Sequence, residues 1–179
     1  MLSPSHETHQ AQPHESEDSG AEIRVFVYSA PSLRSSNVSV KGWSLHGRPT
    51  IQCCGSSQHA ALLESVLDAL AATRALGCAG APTIFYTCSQ YLDVGFASLH
   101  QWKLQGWYDQ KQHRPRANKP LWMLIDHATK ERLISVKPLY GVRSDIEGFS
   151  QLRESVLEHA GVVSPATTTP LIVTRATHP

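Results

Sequence analysis

The chain has 179 residues, 41% of them hydrophobic and 17% charged, and carries a formal net charge of +1. Such a length fits one domain with tails, and the hydrophobic content supports a core, while the charged fraction lies below the roughly 25% of an average globular chain. A near-neutral total excludes a chain that is basic throughout but not one with a local basic patch, and no apolar run approaches the ~20 residues of a membrane span.

The N-terminal stretch lacks the apolar segment of a secretory signal. It also carries Glu7, Glu15, Glu17, Asp18 and Glu22 with no Lys or Arg, which argues against a mitochondrial presequence. The four cysteines, Cys53, Cys54, Cys78 and Cys88, form no CxxC pair. They read as reduced thiols of an intracellular protein, nuclear or cytoplasmic. Residues 1–21 are polar and rich in Ser, His and Glu, so a disordered tail is expected. His6, His9 and His14 there read as solvated side chains rather than metal ligands. Residues 162–179 hold three prolines and a Thr run and read as an extended tail, with Leu171, Ile172 and Val173 as its one segment suited to docking. The folded domain is expected over 22–161.

Residues 22–30, EIRVFVYSA, alternate and predict a strand. Residues 37–47 alternate again, Gly47-Arg48-Pro49 reads as a turn, and 50–55 completes a three-stranded meander. The period then changes. Over 56–77, Leu62, Leu63, Val66, Leu67 and Leu70 share one helical face, with Ser56 or Ser57 as cap and Gly77 as stop. PTIFYT predicts a fourth strand, and a helix begins near Ser89. Residues 119–131 predict another helix, 132–140 a fifth strand and 146–161 a last helix. The order β-β-β-α-β-α-α-β-α implies an α/β fold, a five-stranded mixed sheet with helices on both faces.

The junction of the fourth strand with its helix, Thr87-Cys88-Ser89, is a common place for chemistry. Cys88 is either a small buried thiol or a nucleophile with His59 as its base. The nucleophile would need a depressed pKa and a group to orient His59, and no Asp or Asn is visibly placed for that.

Four strings resemble the bacterial-type (type 1) ribonuclease H domain, in order and at the expected separations. TCSQYLDVG resembles its T-D-S-Q-Y-V, HQWKLQGW its W-K-x-x-G-W, RANKPLW its N-x-D-L-W, and SSQHAALLESVLDAL its T-N-N-R-M-E-L helix. The resemblance covers about residues 23 to 160 and implies a ribonuclease H-like fold. It also implies two Mg²⁺ ions held by carboxylates at the strand ends, which activate water for phosphodiester cleavage. Under it, the four acidic positions fall on Tyr28, Ala61, Cys88 and Phe149 or Ser150. None is a carboxylate, and thiol and phenol are poor magnesium ligands. The expectation is therefore no catalytic residue, no metal and no cofactor. Mg²⁺ returns only if Glu64, Asp68, Asp93, Asp145 or Glu147 have taken over the site.

Residues 100–122 set Lys103, Lys111, Arg114, Arg116 and Lys119 against Asp109 alone, a local charge of +4. Trp102, Trp107 and Tyr108 are interleaved. Cations with aromatic planes suit a nucleic-acid backbone, although both tryptophans also fit as anchors to the core. In the resembling family this segment is the basic protrusion that grips the DNA strand of a hybrid. Ser56, Ser57, Gln58, Ser89, Gln90 and Asn118 fall on its polar substrate contacts, while a pair of hydroxyls opening a helix also serves simply as caps. The sequence thus supports a catalytically degenerate binder of RNA or an RNA–DNA hybrid. The alternatives are a protein–protein scaffold in a larger assembly, its cleft filled by Tyr28 and Phe149, and an active hybrid ribonuclease with relocated carboxylates.

Overall fold

The computed structural model describes residues 22–139, 146 and 148–162. The N-terminal and C-terminal tails, including Leu171, Ile172 and Val173, lie outside them. The elements are β1 (Ile23–Pro31), β2 (Ser39–Leu45), β3 (Arg48–Cys54), α1 (Gln58–Ala75), β4 (Thr83–Thr87), α2 (Gln90–Leu104), β5 (Tyr108–Asp109), β6 (Arg114–Pro115), α3 (Lys119–Thr129), β7 (Ile134–Pro138) and α4 (Phe149–Ala160).

Five strands form one mixed sheet in the order β3-β2-β1-β4-β7. The meander pairs antiparallel, with Tyr28 opposite Gly42 and Gly42 opposite Ile51. The strands β1, β4 and β7 run parallel, with Phe26 beside Tyr86 and Thr87 beside Pro138. Parallel neighbours need a crossover, and α1 supplies the one from β3 to β4.

Alternation along β1 divides the core. Ile23, Val25 and Val27 face α1 and α3, packing with Leu63, Val66, Phe85, Leu92 and Trp122. Phe26, Tyr28 and Ala30 face α4, packing with Phe149, Leu152 and Val156. The sheet is therefore covered on both faces, as its apolar strands require.

Local chemistry sets the element ends. The Ser57 hydroxyl accepts from the Ala60 N–H and caps α1. At its other end, Gly77 turns left-handed, with Gly77 N–H donating to Arg74 and Cys78 N–H to Thr73, a Schellman stop. The β2–β3 turn sits one residue earlier than the sequence suggested. His46 and Gly47 both take positive φ, the geometry of a two-residue hairpin. Arg48 and Pro49 are already in β3, where an edge strand tolerates proline. The β5–β6 hairpin was not anticipated, since two-residue strands show no alternation to read.

Two glycines are set by close approach. A Cβ on Gly42 would meet Val156 and Ile51 at 2.7 and 2.8 Å, so α4 lies directly on β2. A Cβ on Gly95 would collide with the Trp122 ring, which is fully buried against α2.

Candidate nucleic-acid interface

β4 ends beside the middle of β1, with Tyr86 opposite Phe26 while β1 runs on to Pro31, and the first residues of α1, α2 and α4 gather there. Ser29 and Gln58 lock β1 to α1 reciprocally. The Ser29 hydroxyl donates to the Gln58 carbonyl and the Gln58 side-chain amide donates to the Ser29 carbonyl, both at 3.0 Å. Tyr28 meets Phe149 edge to face, with centroids 6.0 Å apart, and Phe149 lies 6.2 Å from Phe26. Cys88 packs against the same cluster. A small cavity of about 250 Å³ remains, lined by Tyr28, Ser29, Gln58, His59, Cys88 and Ser89 among others.

Burial pushes the Cys88 thiol above its ordinary pKa, an effect that the charge of Arg153 only partly counters. Cys88 therefore stays protonated at neutral pH, and a protonated thiol is a poor nucleophile. The His59 ring is stacked on Tyr91 at 4.1 Å, 12° from parallel.

Beside this patch a groove of about 610 Å³ runs between the start of α2 and the β5–β6 hairpin. His59, Ser89, Gln90 and Tyr91 form one side, and Gln112, Arg114 and Arg116 belong to the other. Tyr91 ties the two together. Its hydroxyl accepts from the Trp122 indole N–H at 2.9 Å and the Asn118 amide at 3.1 Å, and donates to the Ala117 carbonyl at 3.4 Å. Asp109 organises the hairpin. One carboxylate oxygen accepts from the Lys111 and Gln112 N–H groups, the other from Arg116. Burial acts to raise the Asp109 pKa, but those N–H groups and the charges of Arg116 and Arg114 outweigh it and lower the pKa overall.

The five cations of this region have different fates. Lys103 pairs with Asp126 at 2.7 Å. Arg116 pairs with Asp109 at 3.1 Å and lies 5.0 Å over the Trp102 ring. Among the described residues, Lys111, Arg114 and Lys119 make no ion pair with an acidic side chain. Trp107 is buried in the core and Trp102 packs edge-on against Trp122, so both tryptophans anchor the segment.

No protein-family profile matches the chain, and no curated protein matches it. Solved structures do. The foamy viral protease–reverse transcriptase in complex with RNA/DNA hybrid matches with a TM-score of 0.59 at 15% identity, over 90% of this chain and 23% of that one. The prototype foamy virus RNase H domain, in solution, matches with a TM-score of 0.55 at 16% identity, over 79% of this chain and 94% of that one. A type 1 RNase H with the type 2 active-site motif matches with a TM-score of 0.58 at 17% identity, over 79% and 72%.

The chain has a ribonuclease H-like fold.

Within that ribonuclease H-like frame, the positions that the resemblance assigns to metal-binding acids carry a phenol (Tyr28), a methyl (Ala61, fully buried), a thiol (Cys88) and a fully buried phenyl (Phe149). Ser150 follows Phe149 in the first turn of α4. This donor set does not fit Mg²⁺, which needs hard oxygen ligands. Glu64 and Asp68 are engaged elsewhere. They hold Lys41, a nearly buried lysine of β2, at 3.2 and 2.8 Å. Desolvation acts to lower the Lys41 pKa, but the two carboxylates outweigh it and raise the pKa. Asp93 lies in the first turn of α2. Asp145 and Glu147 lie outside the described residues. Among the described residues no group of three or more His, Cys, Asp or Glu is placed to hold a metal ion.

The polar residues expected at a nucleic acid are likewise divided. Ser89, Gln90 and Arg114 line the groove. Ser57 is the α1 cap, and Ser56 donates to the Cys54 sulfur. The Gln58 and Asn118 amides are spent on Ser29 and Tyr91. The sequence reading missed Tyr91 as the hub and Gln112 as a groove residue. Tyr91 stood inside the strongest resembling string, but its hydrogen-bond partners lie 26 to 31 residues away.

Proposed function

We propose that this ribonuclease H-like domain binds nucleic acid, RNA or an RNA–DNA hybrid, in the groove between α2 and the β5–β6 hairpin, and does not hydrolyse it. One observation carries the reading. A groove bordered by Ser89, Gln90 and Arg114, with Lys111 and Lys119 in the same basic segment, adjoins a patch of Tyr28, Cys88 and Phe149, the positions that the resemblance assigns to carboxylates. Unpaired cations attract phosphates by releasing condensed counterions, and Ser and Gln side chains donate to phosphate or 2′-hydroxyl oxygens. The starts of α1 and α2 at this edge add positive dipole ends. A foamy viral relative in fold is described in complex with an RNA/DNA hybrid, which makes a hybrid the first ligand to try.

On this reading no carboxylate stands at these positions to concentrate Mg²⁺ or to activate water, so it includes no metal and no turnover. The test pairs two measurements. Gel shifts with hybrid, duplex RNA and duplex DNA across a salt series should show binding that weakens with salt. Cleavage of the hybrid in Mg²⁺ or Mn²⁺ should stay at background. Salt-independent or absent binding would replace this reading with a protein–protein scaffold. Turnover abolished by Asp145→Ala or Glu64→Ala would replace it with an active ribonuclease.

A further inference from the structure

At the opposite end of the sheet, α1 and α3 finish against each other and two cavities meet. The first, of about 320 Å³, has aliphatic walls from Leu67, Leu70, Ala71, Ala75 and Ala128. The second, of about 400 Å³, adds His127, Lys130 and Glu131. Arg74, Ala128 and Arg132 line both. Arg132 is held in place: one guanidinium nitrogen donates to the Thr73 hydroxyl at 2.9 Å and another to the Leu70 carbonyl at 3.4 Å. Burial, and then the nearby charge of Arg74, lower the Arg132 pKa. A fixed guanidinium and the exposed Arg74 thus line the same cleft, and among the described residues neither they nor Lys130 has an acidic ion-pair partner, so with Glu131 the one acid in the lining the cleft is net positive. Helix carbonyl ends account for cations in the last turns, such as Arg74 and His127. Arg132 follows α3 and turns its guanidinium back onto α1, where the Thr73 hydroxyl and the Leu70 carbonyl, both neutral acceptors, fix it without neutralising its charge.

We propose that this two-lobed cleft is a docking site for an acidic peptide segment of a partner protein that carries one bulky apolar side chain. Its carboxylates meet Arg74, Lys130 and Arg132, and its apolar side chain enters the lobe walled by Leu67, Leu70 and Ala128. The carboxylates match the guanidinium forks in geometry as well as charge. A nucleic-acid strand fits less well, because the cations converge on one cavity instead of tracking a backbone, and the apolar lobe has no aromatic ring to stack a base. The chain's own acidic stretch, residues 14–22, has the charge but no apolar side chain larger than alanine.

The experiment uses the full chain and a labelled synthetic peptide of Asp and Glu residues with one Phe, read by fluorescence anisotropy. Arg74 is exposed and makes no ion pair among the described residues, so Arg74→Glu should lower the melting temperature by only a few degrees, the cost of an anion at the end of α1, and weaken the peptide by about tenfold or more. Replacing the peptide's Phe with Ser should weaken it comparably. Lys130→Glu is the second variant, with the same expectation, should Arg74→Glu fail to fold. Undiminished binding by both variants overturns the site. Equal binding of the Phe-less peptide, or displacement by inorganic phosphate or a single-stranded oligonucleotide as readily as by unlabelled peptide, overturns the peptide assignment. Tightening of the peptide when Glu15, Glu17 and Asp18 are changed to Ser in the full chain overturns the choice of a partner protein over the chain's own acidic stretch.

Discussion

The strand-end patch and the basic protrusion are neighbours built from opposite materials. At the patch, Tyr28, Phe149 and Phe26 close on one another through ring edges, and Cys88 is kept neutral by burial. In the protrusion, Lys103 and Arg116 are neutralised by acidic partners while Lys111, Arg114 and Lys119 have none among the described residues. The side chains at the patch are held by packing, so this part of the molecule contributes stability. Charges on a protruding hairpin gain little from burial, so that part is free to contribute binding. Changes at the patch should therefore move the melting temperature, and changes at the unpaired cations should move affinity.

The sharpest way to break that contrast is to place acids at the positions that the resemblance assigns to them. Tyr28→Asp, Ala61→Glu and Cys88→Asp together place three carboxylates in or beside apolar packing, one of them at a fully buried position. Without metal, like charges and desolvation should cost more than ~3 kcal/mol, seen as a collapse of the melting temperature. A melting temperature that rises with added Mg²⁺ would mean that the strand ends still hold the metal geometry. A flat response would mean that these are the wrong positions.

Phe149→Ala removes a fully buried ring and should cost about 3–5 kcal/mol in chemical denaturation, with nucleic-acid affinity retained at temperatures where the protein is folded. A loss under 1 kcal/mol would show the patch to be loosely packed.

Lys41→Met leaves Glu64 and Asp68 without their cation. Both carboxylates are partly exposed, which moderates the penalty of an unpaired buried charge to about 2 kcal/mol. The pH dependence has a definite sign. The Lys41 pKa is raised on folding, so its contribution is fully present below the unfolded value near 10.5 and is lost as pH climbs through the folded value. Parent and variant should therefore converge in stability in strong alkali and differ at pH 7.

The protrusion splits into a structural arginine and a solvated one. Arg116→Ser breaks the Asp109 pair and the Trp102 contact and should cost about 1 kcal/mol of stability. Arg114→Ser should stay within about 0.5 kcal/mol of the parent yet lower the salt slope of duplex DNA binding by roughly 0.9 if Arg114 meets a phosphate. Equal stability losses for the two would erase the distinction.

The order of elements was legible in the sequence because its signals are local. Alternation in 22–30, the leucine face of α1, the Ser57 cap and the Gly77 stop each depend on residues a few positions apart, and the resembling strings add their order along the chain. The β5–β6 hairpin left no such trace. Nor did the fates of the charges. Arg114 and Arg116 are two residues apart and look interchangeable, yet only Arg116 reaches Asp109, the Trp102 ring and Gln105. Glu64 and Asp68 looked like possible metal ligands until β2 brought Lys41 against them, from more than twenty residues away. The amino-acid sequence by itself determined which segments become the strands of the main sheet and its helices, and that Tyr28 lies on β1 and Cys88 just past β4. Only the tertiary structure decided which charges are paired and which cleft stays open, because pairing depends on which elements the sheet topology sets side by side.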